Sequence, residues 1–194
     1  MHRLALLLVL ALMPAAFGLP DEAVGRVVSV ISGDSLGMEM LIGDARTNNV
    51  DSIKLADIEA PSTVTAEGKA AQKYAHSLLK NKTVYLDIND NASGTRNEWS
   101  QLICVVYLMD SDFRPVWPPV NRMLVDSGHA RLNDDINNEF NSSAWWQEPP
   151  VFPPGKKRDL LKAMLSGAKM EDVKKGSILE KDSASGQMSI GYRT

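Results

Sequence analysis

Between Val24 and Leu55 the chain carries three strand-type runs in close succession, and from Thr63 its apolar period changes to that of a helix. Val24 to Ile31 (V-G-R-V-V-S-V-I) is rich in β-branched residues, which fit a pleated, half-buried surface. Gly33-Asp34-Ser35 reads as a tight turn, and Leu36 to Ile42 returns as the second arm of a hairpin. A polar loop, Gly43 to Asn49, leads to a third strand, Asn49 to Leu55. Within Asp51 to Ser62 (D-S-I-K-L-A-D-I-E-A-P-S), Ile53 and Leu55 face one way and Lys54 and Ala56 the other. Pro61 lacks an N–H and stops the ladder, leaving the Glu59 carboxylate at a strand end. From Thr63 to Lys80, Ala66, Ala70, Tyr74 and Leu78 form an i, i+4 stripe with Ala71, Ala75 and Leu79 beside it. This predicts an amphipathic helix with Thr63 or Thr65 as N-cap.

Thr83 to Ile88 predicts a fourth strand, Asn89 to Ser100 a polar loop, and Gln101 to Met109 a fifth strand, apolar nearly throughout and therefore central. After the loop Asp110 to Pro118, Val120 to Ser127 reads as a short helix ended by Gly128. Phe140, Trp145 and Trp146 are expected to cover the end of the core. Three strands, a helix, two strands and a helix fit a five-stranded closed barrel of the oligonucleotide-binding type, an α+β architecture with two or three helices. The barrel domain is assigned to residues 24–146, with a Pro-rich linker at 147–155. A basic helix and a disordered tail are assigned to 156–194. The helix, Lys156 to Ala168, sets Leu160, Leu161, Met164 and Leu165 on one face, and is expected to pack back on its own barrel.

The N-terminus is a separate unit. His2 and Arg3 precede the apolar run Leu4 to Met13, and Pro14-Ala15-Ala16-Phe17-Gly18 follows, the pattern of a secretory signal peptide over residues 1–18. The run is short for a membrane-spanning helix, so the mature chain is expected to begin near Leu19 and to work outside the cytoplasm. The single cysteine, Cys104, lies in an apolar strand and reads as a core residue. Three N-x-S/T sequons begin at Asn81, Asn91 and Asn141. Charge divides unevenly: residues 24–146 hold 11 Lys/Arg against 16 Asp/Glu, and residues 147–194 hold 9 against 6. An acidic barrel disfavours a polyanion such as nucleic acid, whereas the basic tail would suit a protein partner or an anionic surface.

Several motifs occur in a recognisable order. Gly33-Asp34-Ser35 is followed by Ile53-Lys54-Leu55-Ala56-Asp57-Ile58-Glu59-Ala60-Pro61, then by the helix with Tyr74 and Leu78-Leu79. Val106-Tyr107-Leu108 and Val120-Asn121-x-x-Leu124-Val125-x-x-Gly128-x-Ala130 come later. Together they resemble the staphylococcal-nuclease-like (thermonuclease) domain family over roughly residues 24–146. The resemblance implies a calcium-dependent phosphodiesterase acting on DNA and RNA. In such a site a cation held by two carboxylates and a carbonyl polarises the phosphate, a glutamate handles the attacking water, and two arginines neutralise the developing charge.

Carried onto this chain, the resemblance implies Asp34, Glu59 and the carbonyl of Ala60 as metal ligands, with Asp57 as a further candidate in a rearranged site. Lys54 and Gln101 stand where the family has its arginines, Ser62 where it has its glutamate, and Glu98 and Trp99 at the neighbouring substrate-binding positions. Arg96 is a candidate substitute for the missing arginine, and His76 and His129 read as structural or surface residues. Losing one charge-stabilising donor costs about 10²–10³ in rate, and losing a general base about 10²–10⁴. The expectation is therefore an exported pseudo-enzyme that acts as a binding or interaction module. The alternative is an extracellular calcium-dependent nuclease with an atypical site.

Overall fold

The computed structural model describes residues 23–91, 94–134, 138–147 and 156–165. The signal-peptide pattern, residues 148–155 of the Pro-rich linker and the tail after Leu165 lie outside the described residues.

The first hairpin joins β1 (Ala23–Val30) to β2 (Ser35–Ile42), antiparallel from Val24↔Ile42 to Val30↔Leu36. Register shifts after Val24 and after Val27 bend β1, as a bulge does by inserting an unpaired residue. β3 (Ser52–Leu55) pairs with β2, and β5 (Thr83–Ile88) pairs with the other edge of β1. β6 (Leu102–Met109) lies antiparallel to β5 and parallel to β3. That last pairing closes a mixed five-stranded barrel, β3-β2-β1-β5-β6, whose ends meet without a free edge. β7 (Pro115–Val116) adds a sixth strand on β6, inside a segment whose sequence predicts a loop. A two-residue ribbon, β4 (Ile58–Glu59) with β8 (Arg131–Leu132), stands beside the barrel. With three helices, the architecture is the expected α+β, oligonucleotide-binding-type barrel.

The long helix α1 (Ala66–Leu79) starts at Thr65, whose hydroxyl accepts from Gly68 N–H at 3.0 Å. Its buried face is Gly68, Ala71, Ala75 and Leu79, not the Ala66–Ala70–Tyr74–Leu78 stripe. Ala66 and Ala70 are exposed, and Tyr74 and Leu78 half-buried. Small residues face inward because the hairpin turn comes close: a Cβ at Gly33 would sit 2.7 Å from Ala60 Cβ and 2.8 Å from Ala71 Cβ.

Leu102 to Tyr107 of β6 are all buried, Cys104 among them. One side of β6 faces the barrel interior, and α2 (Val120–Asp126) packs on the strand with Val120 and Leu124 fully buried. Trp145 is buried in the core, Phe140 packs against it, and Trp146 is exposed. The third helix, α3 (Lys156–Leu165), contacts β2 and inserts Leu161, 1% exposed, into the core cluster. The basic helix thus docks on its own barrel. Among the described residues no helix is long and apolar enough to cross a membrane.

Candidate functional site

The turn between β1 and β2 is tied to the rest of the barrel through Asp34. Its carbonyl accepts from Leu55 N–H at 2.9 Å, which extends the β2–β3 ladder into the turn. Its carboxylate, buried at 5% exposure, is surrounded by donors. Ser32 Oγ donates to Oδ1 at 2.7 Å, Ala60 N–H donates to Oδ2 at 2.8 Å, and Lys54 Nζ donates to the same Oδ2. Lys54 reaches it because Ser35 and Lys54 are register partners across β2 and β3. The ammonium is itself largely enclosed, its side chain 18% exposed.

This arrangement departs from what a divalent cation needs. A hard cation takes six or more oxygen ligands from carboxylates, carbonyls or water. Here both oxygens of Asp34 accept protein hydrogen bonds, one from a positive charge, and Ala60 turns its N–H toward the carboxylate. The other implied ligands face elsewhere. Glu59 Oε2 pairs with Arg131, whose Nε lies 3.1 Å away across the β4–β8 ribbon. Asp57 sits in the β3–β4 turn with φ +53°, a left-handed conformation that Asn and Asp adopt more readily than other side chains. Its carboxylate is buried at 2% exposure and accepts from Asn138 Nδ2, while its carbonyl accepts from Asn133 N–H at 2.9 Å. Among the described residues no three His, Cys, Asp or Glu side chains converge to hold a metal ion. The donor set around Asp34 does not fit a calcium ion.

Burial raises the Asp57 pKa to about 6, the Asn138 hydrogen bond opposing the rise and the nearby Asp134 adding to it. The positions to which the resemblance assigns catalysis make structural contacts as well. Ser62 is exposed, and its carbonyl serves the start of α1 by accepting from Thr65 N–H and Oγ1, each at 2.9 Å. Gln101 Oε1 accepts from Asn97 Nδ2 at 2.9 Å. Arg96 donates to the carbonyls of Ser100, Arg46 and Asn48, which uses its guanidinium to staple two loops. Glu98 and Trp99 are exposed, Trp99 at 70%.

A cleft of about 410 Å³ has Glu59 to Ser62 on one wall and Gly128 to Arg131 on the other, and Asp34 is not among its lining residues. His129 lines it and tilts against Tyr74 with ring centroids 4.5 Å apart, while His76 is exposed on α1. Sequence reasoning missed Ser32, Arg131, Asn138 and Asn97. Ser32 is only two residues from Asp34, in the same tight turn, so the sequence did place it within reach of that carboxylate. Arg131 and Asn138 carry no local signal, because they meet β4 and Asp57 only through the fold. Comparison with known protein families and with curated proteins finds no match for this chain.

Proposed function

We infer that this chain is a non-hydrolytic binding module, built on a barrel that resembles the staphylococcal-nuclease-like domain. One observation carries the reading: the Asp34 carboxylate is neutralised from within by the Lys54 ammonium and completed by Ser32 and Ala60. A residue used in this way holds the hairpin turn to β3, with both oxygens already accepting hydrogen bonds and its charge balanced by an ammonium. The side chains at 62 and 101 support the same reading. Ser62 is no match for a carboxylate base, and the Gln101 amide carries no charge to place on a phosphoryl oxygen. Export is supported by the leader pattern at residues 1–18.

The experiment is incubation of the purified mature protein with single-stranded DNA and with RNA in calcium, magnesium and manganese. The expected result is no cleavage above a buffer control. Turnover that disappears in Asp34→Ala would overturn the reading in favour of a metal-dependent nuclease.

A further inference from the structure

Arg122 shows how this protein holds a guanidinium. Its Cζ lies 4.7 Å from the Trp117 ring centroid and 5.5 Å from that of Trp146. Its Nε donates to Asp126 Oδ2 at 2.9 Å, and Trp146 Nε1 donates to Asp126 Oδ1 at 3.0 Å. Aromatic faces take the flat side of the cation while a carboxylate takes its N–H edge.

The loop before β6 presents the same two components at the surface. Trp99 is 70% exposed and Glu98 beside it is exposed as well. The arginine nearest in sequence, Arg96, is engaged by three backbone carbonyls. The tip is held in shape from below. Asn97 Oδ1 accepts from Trp99 N–H at 3.1 Å and from Gln101 N–H at 3.0 Å, and Ser100, at φ +63°, donates its N–H to Asn97 O at 3.0 Å. An indole displayed on a braced loop loses little freedom when a partner covers it, which is the economy of a preorganised anchor. Arg96 also fastens the loop to the Asp44–Arg46–Asp90 cluster, where two carboxylates share one guanidinium. Counted with Glu98 and with Glu139, whose Oε1 accepts from Asp90 N–H at 2.8 Å, four carboxylates stand against Arg46 and Arg96 there, and the whole barrel is acidic as well.

We propose that the Glu98–Trp99 tip docks an arginine of a basic partner protein, the indole stacking on the guanidinium and the carboxylate pairing with its edge. The proposal rests on the binding-module reading and names the partner for it. Arginine fits better than lysine because its planar cation stacks and pairs at once. The acidic surroundings favour a basic peptide and repel a phosphate backbone.

The test is fluorescence anisotropy of a labelled Arg-Gly repeat peptide with the full mature protein, alongside a Lys-Gly repeat and an oligo-dT strand. The Arg-Gly peptide is expected to bind, the Lys-Gly peptide to bind more weakly, and salt to weaken both. Trp99→Ala and Glu98→Lys are each expected to weaken Arg-Gly binding about tenfold or more. Both side chains are exposed, so neither change removes core contacts. Unchanged affinity in Trp99→Ala, absence of peptide binding, or tighter Trp99-dependent binding of oligo-dT would each overturn the proposal. None of these outcomes touches the hydrolysis assay, which decides the non-hydrolytic reading by itself.

Discussion

Lys54 sets the character of the site at the scale of one residue. Its ammonium is the only charge that balances Asp34 among the hydrogen bonds described there, and both groups are mostly out of water. Removing one partner of a buried pair leaves the other charge uncompensated, at a cost of about 3–5 kcal/mol. Lys54→Met is expected near the lower end, because the Ser32 hydroxyl and the Ala60 N–H remain; urea unfolding measures it.

Asp57 behaves in the opposite sense, since its folded pKa is raised to about 6 from 3.8. A raised acid binds its proton more tightly in the folded state, so stability falls as pH climbs from about 4 to 6 and is level above that. The shift corresponds to a penalty of at most about 3 kcal/mol. Asp57→Asn keeps an acceptor for Asn138 and suits the positive φ. It is expected to stabilise the protein above pH 6, with no gain near pH 4, in denaturant midpoints measured across that range.

At the scale of elements, the barrel depends on side chains that finish ladders the strands leave open. The parallel β3–β6 pairing ends at Leu55↔Cys104, beyond which β3 turns away. Asn121 of α2, fully buried, takes over: its Oδ1 accepts from Val106 N–H at 3.0 Å and its Nδ2 donates to Ala56 O at 2.9 Å. Asn121→Leu keeps the approximate volume but orphans both backbone groups, each worth about 1–3 kcal/mol. A loss of about 2–5 kcal/mol in guanidinium unfolding is expected, well above an exposed substitution such as Lys73→Ala on α1. A related device protects the outer end of β1. Gln72 donates to the carbonyls of Val30 and Ile31, and Lys80 to that of Val28, so helix side chains cover an edge that would otherwise invite another strand.

For the whole molecule, the question is how the basic segment relates to the acidic barrel. α3 places Leu161 in the core against β2 and leaves Lys162 exposed. With Leu161 in the core cluster, Leu161→Ala is expected to carry a core-sized cost of about 2–5 kcal/mol. Lys162→Ala stays within about 0.5 kcal/mol. Thermal unfolding of the two variants separates a docked helix from one held free for an anionic surface, for which both substitutions would leave stability unchanged.

The sequence alone determined the frame. The β-branched runs, the Gly33-Asp34-Ser35 turn, the period change into α1 and the apolar β6 each declare themselves within a few residues, because backbone sterics and one-sided burial act locally. The same local rules narrowed the N-cap of α1 to Thr63 or Thr65, of which the structure uses Thr65, and placed Gly128, at φ +71°, after α2. They centred the apolar face of α1 on Ala66–Ala70–Tyr74–Leu78, whereas the buried centre is the adjoining Ala71–Ala75–Leu79 row with Gly68, where Gly33 comes close to Ala71. What Asp34, Asp57 and Glu59 do was decided by tertiary structure. Lys54, Asn138 and Arg131 are remote in sequence from the carboxylates they engage, and only barrel closure and the β4–β8 ribbon bring them together. A carboxylate's chemistry is set by the charges and donors that surround it, and those arrive through the fold.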